Sequence, residues 1–220
     1  MNKGACIVVG AGPGLGLAVA KRFGKEGYPV ALLGRRVEPL EEHVKDLREA
    51  GIHARAFSAD ASDPGSLIHG MEKAETALGA PEVLIYNAAA LRKTGSIIEE
   101  RFEELVGDFK VNVAGALVAA QQAYPAMTHR RRGTILLTGG SLAIDPMPLF
   151  ASLAIGKAGI RNLALSLAKE LEPQGIHVAT VTIAGFIKPG TKFDPDLIAD
   201  EYWRLHAQPV GTWNHELVYQ

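Results

Sequence analysis

Short apolar runs recur along the chain with amphipathic stretches between them. The runs fall at residues 6–9, 30–33, 54–57, 83–86, 134–138 and 178–183. Several are apolar on consecutive positions, as in strands covered on both faces, and each gap is long enough for a crossover helix. Leu15, Val19 and Phe23 keep helical spacing and Gly27 follows as a stop; Leu40, Val44 and Leu47 repeat the pattern before Gly51. Asp63-Pro64 reads as an N-cap and first helical residue, with Leu67, Met71, Ala74 and Leu78 on one face and Gly79 at the end. The order is strand, helix, strand throughout. It predicts an α/β fold: a single doubly wound domain over 1–220 with a mostly parallel sheet of six or seven strands. Its ligand site belongs beyond the carboxyl ends of the strands, where strand order reverses.

Composition narrows the function. Lys and Arg number 23 against 24 Asp and Glu, a net charge of -1, so no global field draws in nucleic acid or an anionic membrane. The basic run 129–132 reads as a solvated loop. The single cysteine, Cys6, lies in an apolar run and reads as a buried, inert thiol, which agrees with a reducing compartment. No signal-peptide layout precedes the first strand and no apolar run approaches a membrane span, so a cytoplasmic protein is expected. The seven histidines are too dispersed for helix-spaced metal pairs, and no metal is expected.

The first strand ends in Gly10-Ala11-Gly12-Pro13-Gly14-Leu15-Gly16, directly before a helical pattern. Backbone N–H groups at such a turn can hold a pyrophosphate, and glycines let it approach. Leu15 breaks the Gly-x-Gly-x-x-Gly form, whereas Gly10, Gly14 and Gly16 fit Gly-x-x-x-Gly-x-Gly. After the second strand come Gly34-Arg35-Arg36, where an NAD-binding fold usually offers a carboxylate to the ribose. Two guanidinium groups there favour the 2′-phosphate of NADP, with NAD still possible. Asp60, beside Ala61 after the third strand, is placed to accept from an adenine amino group or to cap its own turn.

Over roughly 7–185 these residues resemble the short-chain dehydrogenase/reductase family, whose fold is the Rossmann type. The glycine turn matches its cofactor motif, and Tyr86-Asn87-Ala88-Ala89 looks like its Asn-Asn-Ala-Gly segment with Asn87 and Ala88 retained. The resemblance implies that Asn112 holds an ordered water beside the catalytic lysine. It also implies that Ser141 is the catalytic serine, and that Lys157 is the catalytic lysine and touches the nicotinamide ribose. Ile187 corresponds to a residue that offers its backbone to the nicotinamide amide, and Thr191 to a displaced family threonine.

One departure matters most. The family's Tyr-x-x-x-Lys motif requires tyrosine where this chain has Leu153, and no tyrosine occurs between Tyr124 and Tyr202. In the family that phenol is the general acid or base. The stretch 141–153 is also about one residue short. Asp145, or a tail residue such as His206, is a candidate replacement donor. The tail, 186–220, is short for a substrate lobe and reads as a cap or interface segment, with a last edge strand at 216–219. The helix after Leu153 is apolar over more than one face, which points to a homo-oligomer, a dimer or tetramer.

The expected activity is NADP(H)-dependent hydride transfer to or from a carbonyl or activated double bond on an atypical site. The alternative is a catalytically inactive NADP(H)-binding sensor, scaffold or oligomer subunit.

Overall fold

The computed structural model describes residues 3–220. Seven strands form one sheet: β1 Ala5–Val9, β2 Val30–Gly34, β3 Ala54–Ser58, β4 Pro81–Tyr86, β5 Gly133–Thr138, β6 Ile176–Ile183 and β7 Glu216–Tyr219. Their order is β3-β2-β1-β4-β5-β6-β7, and every pair is parallel. Seven helices cross between or flank them: α1 Leu15–Lys25, α2 Val37–Glu49, α3 Pro64–Leu78, α4 Phe102–Phe109, α5 Gly115–Arg130, α6 Ala151–Leu171 and α7 Pro195–His206.

Strand alternation divides the interior in two. Cys6 and Val8 face one apolar layer with Val19, Phe23 and Tyr202; Ile7 and Val9 face the other with Leu67, Met71 and Ile160. Phe23, Ile7 and Leu67 are fully buried, and each such side chain stabilises the fold by roughly 1.5–3 kcal/mol over an exposed one. The expected helix signals operate. Asp63 accepts from the backbone N–H groups of Gly65 and Ser66 with Pro64 in the first turn, and Gly27 and Gly51 end their helices in the left-handed region. Cys6 is buried, and burial raises its thiol pKa.

The tail is built into the fold. Ile198, Ala199, Tyr202 and Leu205 form a buried stripe on α7 that packs beside α1, and β7 pairs with β6 from Thr180–Glu216 to Ile183–Tyr219. Arg161 grips Glu216 through two hydrogen bonds of 2.8 and 2.7 Å and holds β7 to α6. The basic run 129–132 does more than meet solvent. Arg132 pairs with Glu82 at 2.7 Å, and Arg131 takes a left-handed turn and donates to Pro173 O. Among the described residues, no helix is long and apolar enough to cross a membrane.

Candidate functional site

Sheet order reverses between β1 and β4, so their carboxyl ends open a cleft. The glycine turn lies on that edge. Gly10 has φ +82°, and a Cβ there would come within 2.4 Å of Ala88 N; a Cβ on Gly16 would come within 2.6 Å of Gly10 O. These two glycines close the turn against its neighbours. Gly12 and Gly14 instead face open space, and no side chain caps α1 at Gly14. With Pro13 exposed and Leu15 buried beneath, this leaves uncapped helix N–H groups facing the cleft, which fits a pyrophosphate.

Arg35 and Arg36 are exposed at the end of β2, with no carboxylate in ion-pair range among the described residues. Asp60 turns inward on its own loop. Its Oδ1 accepts from Ser62 N at 2.8 Å and Ser62 Oγ at 2.7 Å, and these bonds, with the field of Arg35, hold its carboxyl below the usual range. Of the two roles expected for Asp60, the turn cap is the one the geometry forms, and Ala61 beside it in sequence is half-buried.

Asn87 stitches the two lips of the cleft. Its Nδ2 donates to Gly10 O at 2.9 Å and its Oδ1 accepts from Thr138 Oγ1 at 3.0 Å. Thr138, the last residue of β5, is a junction. Its hydroxyl also meets Tyr202 Oη at 2.7 Å, and its carbonyl accepts from Lys157 Nζ at 2.8 Å. Neither Thr138 nor Tyr202 was singled out by sequence. The available signal was a hydroxyl at the carboxyl end of a central strand.

Lys157 lies in the second turn of α6, its stem 3.6 Å from where a Cβ on Gly140 would stand; Ser141, the next residue in that loop, is half-buried. Burial without a carboxylate partner lowers its ammonium pKa to about 8. Leu153, one turn earlier on the same helix, is buried.

Asn112 reaches this helix through a local distortion. Between α4 and α5 the chain forms a π turn over Lys110–Ala114, closed by Gly115 N–H on Lys110 O. Tyr86 Oη donates to Val111 O in that turn, and Gly115 leaves the space its phenol occupies. Gly156 lets α6 approach so closely that a Cβ would stand 2.6 Å from Asn112. Asn112 Oδ1 accepts from Ala90 N at 2.8 Å, while its buried Nδ2 has no partner among the described residues.

A second cluster joins the loop after β4 to α4 and the start of α6. Arg92 pairs with Glu100 and with Asp108 at 2.9 Å, and Ser152 Oγ donates to Asp108 Oδ2 at 2.6 Å, which fixes the first turn of α6. The loops beyond β4, β5 and β6 carry exposed apolar groups, among them Leu91, Ile144, Met147 and Phe186, with Ile187 partly open beside the last. Thr191 caps its own loop: its Oγ1 donates to Lys188 O and accepts from Phe193 N. Asp145 is exposed in the loop after Ser141. His206 is not near this site. It ends α7 at the opposite pole, between Tyr28 and Thr134, so the expectation that it serves as a proton donor is overturned; α7 runs away from the cleft.

Fold and cleft therefore define a Rossmann-type protein with an open glycine turn at the switch point and the buried amine of Lys157 at the carboxyl end of β5. A sequence profile described as short chain dehydrogenase matches residues 4–197, and the chain belongs to that family. It is 30% identical to the 2,3-dihydro-2,3-dihydroxybenzoate dehydrogenase of Bacillus subtilis over 206 residues, 94% of this chain and 74% of the relative. It is 28% identical to the human 3-oxoacyl-[acyl-carrier-protein] reductase over 182 residues, 83% and 75% of the two chains. Among solved structures, a short-chain dehydrogenase from Rhodopseudomonas palustris superimposes with TM-score 0.89 at 29% identity over 99% of this chain and 98% of that one. A metagenomic short-chain oxidoreductase in complex with NADP does so with TM-score 0.90 at 26% identity, over 98% and 96%.

Proposed function

We propose that the protein is an NADP(H)-dependent oxidoreductase that reduces a carbonyl or activated double bond, or runs the reverse reaction, on a site in which Leu153 replaces the family's tyrosine. The observation that carries this reading is Lys157: a buried amine with its pKa lowered to about 8 and no carboxylate partner, held by Thr138 O at the carboxyl end of β5 and packed near Gly140, the residue before Ser141. Gly10, Gly12, Gly14, Leu15 and Gly16 would seat the pyrophosphate, Arg35 and Arg36 the 2′-phosphate, and Asp60, Ala61, Asn87, Ala88 and Ile187 the flanking rings. NADPH, when bound, supplies the hydride.

The remaining steps belong to the chain. Ser141 donates a hydrogen bond to the substrate oxygen and draws off charge as it develops. Lys157, largely protonated at neutral pH, delivers the proton to that oxygen directly or through a water held at Asn112, and recovers it from solvent. The exposed apolar side chains of the surrounding loops, and the carboxylates that occupy Arg92, suit an uncharged substrate. NADPH consumption across a panel of ketones and enones tests this: turnover that is lost in Lys157→Ala supports it. A second reading is favoured by Leu153, which is buried and cannot exchange a proton: an inactive nucleotide-binding subunit. Tight NADPH binding without turnover on any panel member would select it.

Assembly is part of the proposal. Ile98, Phe102, Phe109, Leu117 and Ile155 are exposed on or before α4, α5 and α6, and a homodimer or tetramer would cover them. Light scattering that shows a monomer at micromolar concentration would count against it.

A further inference from the structure

The pole opposite the nucleotide cleft holds a cavity of about 430 Å³ between the amino ends of β5 and β6 and the carboxyl end of α7. This volume is in the range of small-molecule sites. On β5 its Thr134 is four residues from Thr138, roughly 13 Å along the strand, so it is separate from the reaction site.

Its walls are aromatic. Tyr28, Trp203 and Trp213 line it with His177, and Trp213 stacks on His177 with ring centroids 4.9 Å apart and planes 4° apart. Among the described residues the buried Nδ1 of His177 has no hydrogen-bond partner, whereas His206 and Tyr28 are paired. Tyr28 Oη meets Glu82 Oε1 at 3.3 Å and His206 Nε2 at 2.8 Å, and His206 Nδ1 meets Thr134 Oγ1 at 2.9 Å. One neutral tautomer closes this chain: Thr134 donates to His206, His206 to Tyr28, and Tyr28 to Glu82. Burial holds His206 neutral, with its pKa lowered to about 4, and also lowers that of His177.

The rim is cationic. Lys3, Arg131 and Arg132 line it together with one carboxylate, Glu82. Glu82 is already held by Arg132 at 2.7 Å and by Gly4 N at 2.9 Å. Lys3 Nζ donates to Glu26 O and lies 4.4 Å from the Tyr28 ring centroid, and Arg131 donates to Pro173 O, so both charges are held by carbonyls and neither is neutralised by a carboxylate. Arg131 is held there by an unusual backbone: its φ is 49°, and Gly175 packs so closely that a Cβ would stand 2.3 Å from Arg131 O. Among the described residues Arg131 is the sole non-glycine with positive φ, a conformation that persists where the surroundings over-determine it.

We propose that this cavity is a second binding site, for a small planar anion of the aromatic-carboxylate class, its ring against the tryptophans and its carboxylate at Lys3 and Arg131. The site is independent of the oxidoreductase reading and stands or falls by itself.

Both tryptophans of the chain line the cavity, so intrinsic fluorescence reports on it directly. The probe is benzoate, with neutral benzamide as its isostere. Benzoate should saturably change tryptophan emission and release heat in calorimetry, and benzamide should bind at least tenfold more weakly, as expected for loss of a charge-assisted hydrogen bond. Arg131→Asn, which suits the left-handed backbone, should weaken benzoate about tenfold and leave benzamide unchanged. Ala207→Phe, which fills the mouth from the end of α7, should abolish both, with circular dichroism confirming the fold. Absence of benzoate binding at millimolar concentration would overturn the proposal, as would equal affinity for benzamide or displacement of benzoate by NADPH. Emission that varies with protein concentration alone would also overturn it, because a second copy of the chain would then cover the cavity.

Discussion

Replacing Lys157 by methionine removes a buried amine whose folded and unfolded proton affinities differ. Burial lowers its pKa from 10.5 to about 8. Between those values the unfolded chain binds the proton more tightly than the folded one, so stability rises with pH across that window. Below about pH 8 the full penalty of holding a desolvated ammonium is present; above 10.5 it is gone. At 1.36 kcal/mol per pH unit of separation the penalty is about 3 kcal/mol, and partial solvent access to Lys157 reduces the expectation to about 2–3 kcal/mol. The variant also loses the bond to Thr138 O, a pH-independent cost to first order. Tyr28, Tyr86 and Tyr202 have pKa values raised by burial, so they lose stability above about pH 10 in both proteins and cancel in the difference. The assay is urea unfolding of both proteins without cofactor from pH 7 to about pH 10.5. Wild type should gain about 2–3 kcal/mol on Lys157→Met over that range. Parallel stability curves would refute the reasoning, because they would mean that Lys157 is solvated or paired and has no special readiness to give up a proton.

Leu153→Tyr places a phenol one helical turn before Lys157 and should raise carbonyl reduction by roughly 10²- to 10⁴-fold; NADPH oxidation rates check this, and normal binding without any gain would show that the loop after Ser141 has moved the site out of register. Arg35→Ala with Arg36→Ala should cost roughly tenfold or more in NADPH affinity and leave NADH binding intact, as read by calorimetry. Thr138→Val should weaken NADPH binding and shift the pH profile of turnover, whereas Thr138→Ser should restore both; if valine and serine behave alike, the hydroxyl junction with Asn87 and Tyr202 is only packing.

How much of this was legible in the linear chain depended on the range of the interactions involved. Six strands, the helices around Val19, Val44 and Met71 and the glycine turn follow from local periodicity, capping and backbone sterics, which act within a few residues. The parallel doubly wound order followed from the alternation itself, because only helical crossovers join parallel neighbours.

Tertiary structure decided everything that depends on where a side chain points after the chain has crossed the sheet. Asn112 meets Gly156 only because a π turn rotates it and a missing Cβ admits α6. Tyr202 lies 64 residues from Thr138 and His206 72 from Thr134, and no local pattern encodes that α7 descends beside α1 and carries His206 to the far pole. The basic run 129–132 looked like solvated loop because its partners, Glu82 and Pro173, are distant in sequence and meet it only at the amino ends of β4, β5 and β6. Periodicity records which face of an element is buried; which buried faces meet is set by packing the two layers against one sheet, and only the folded chain contains that information.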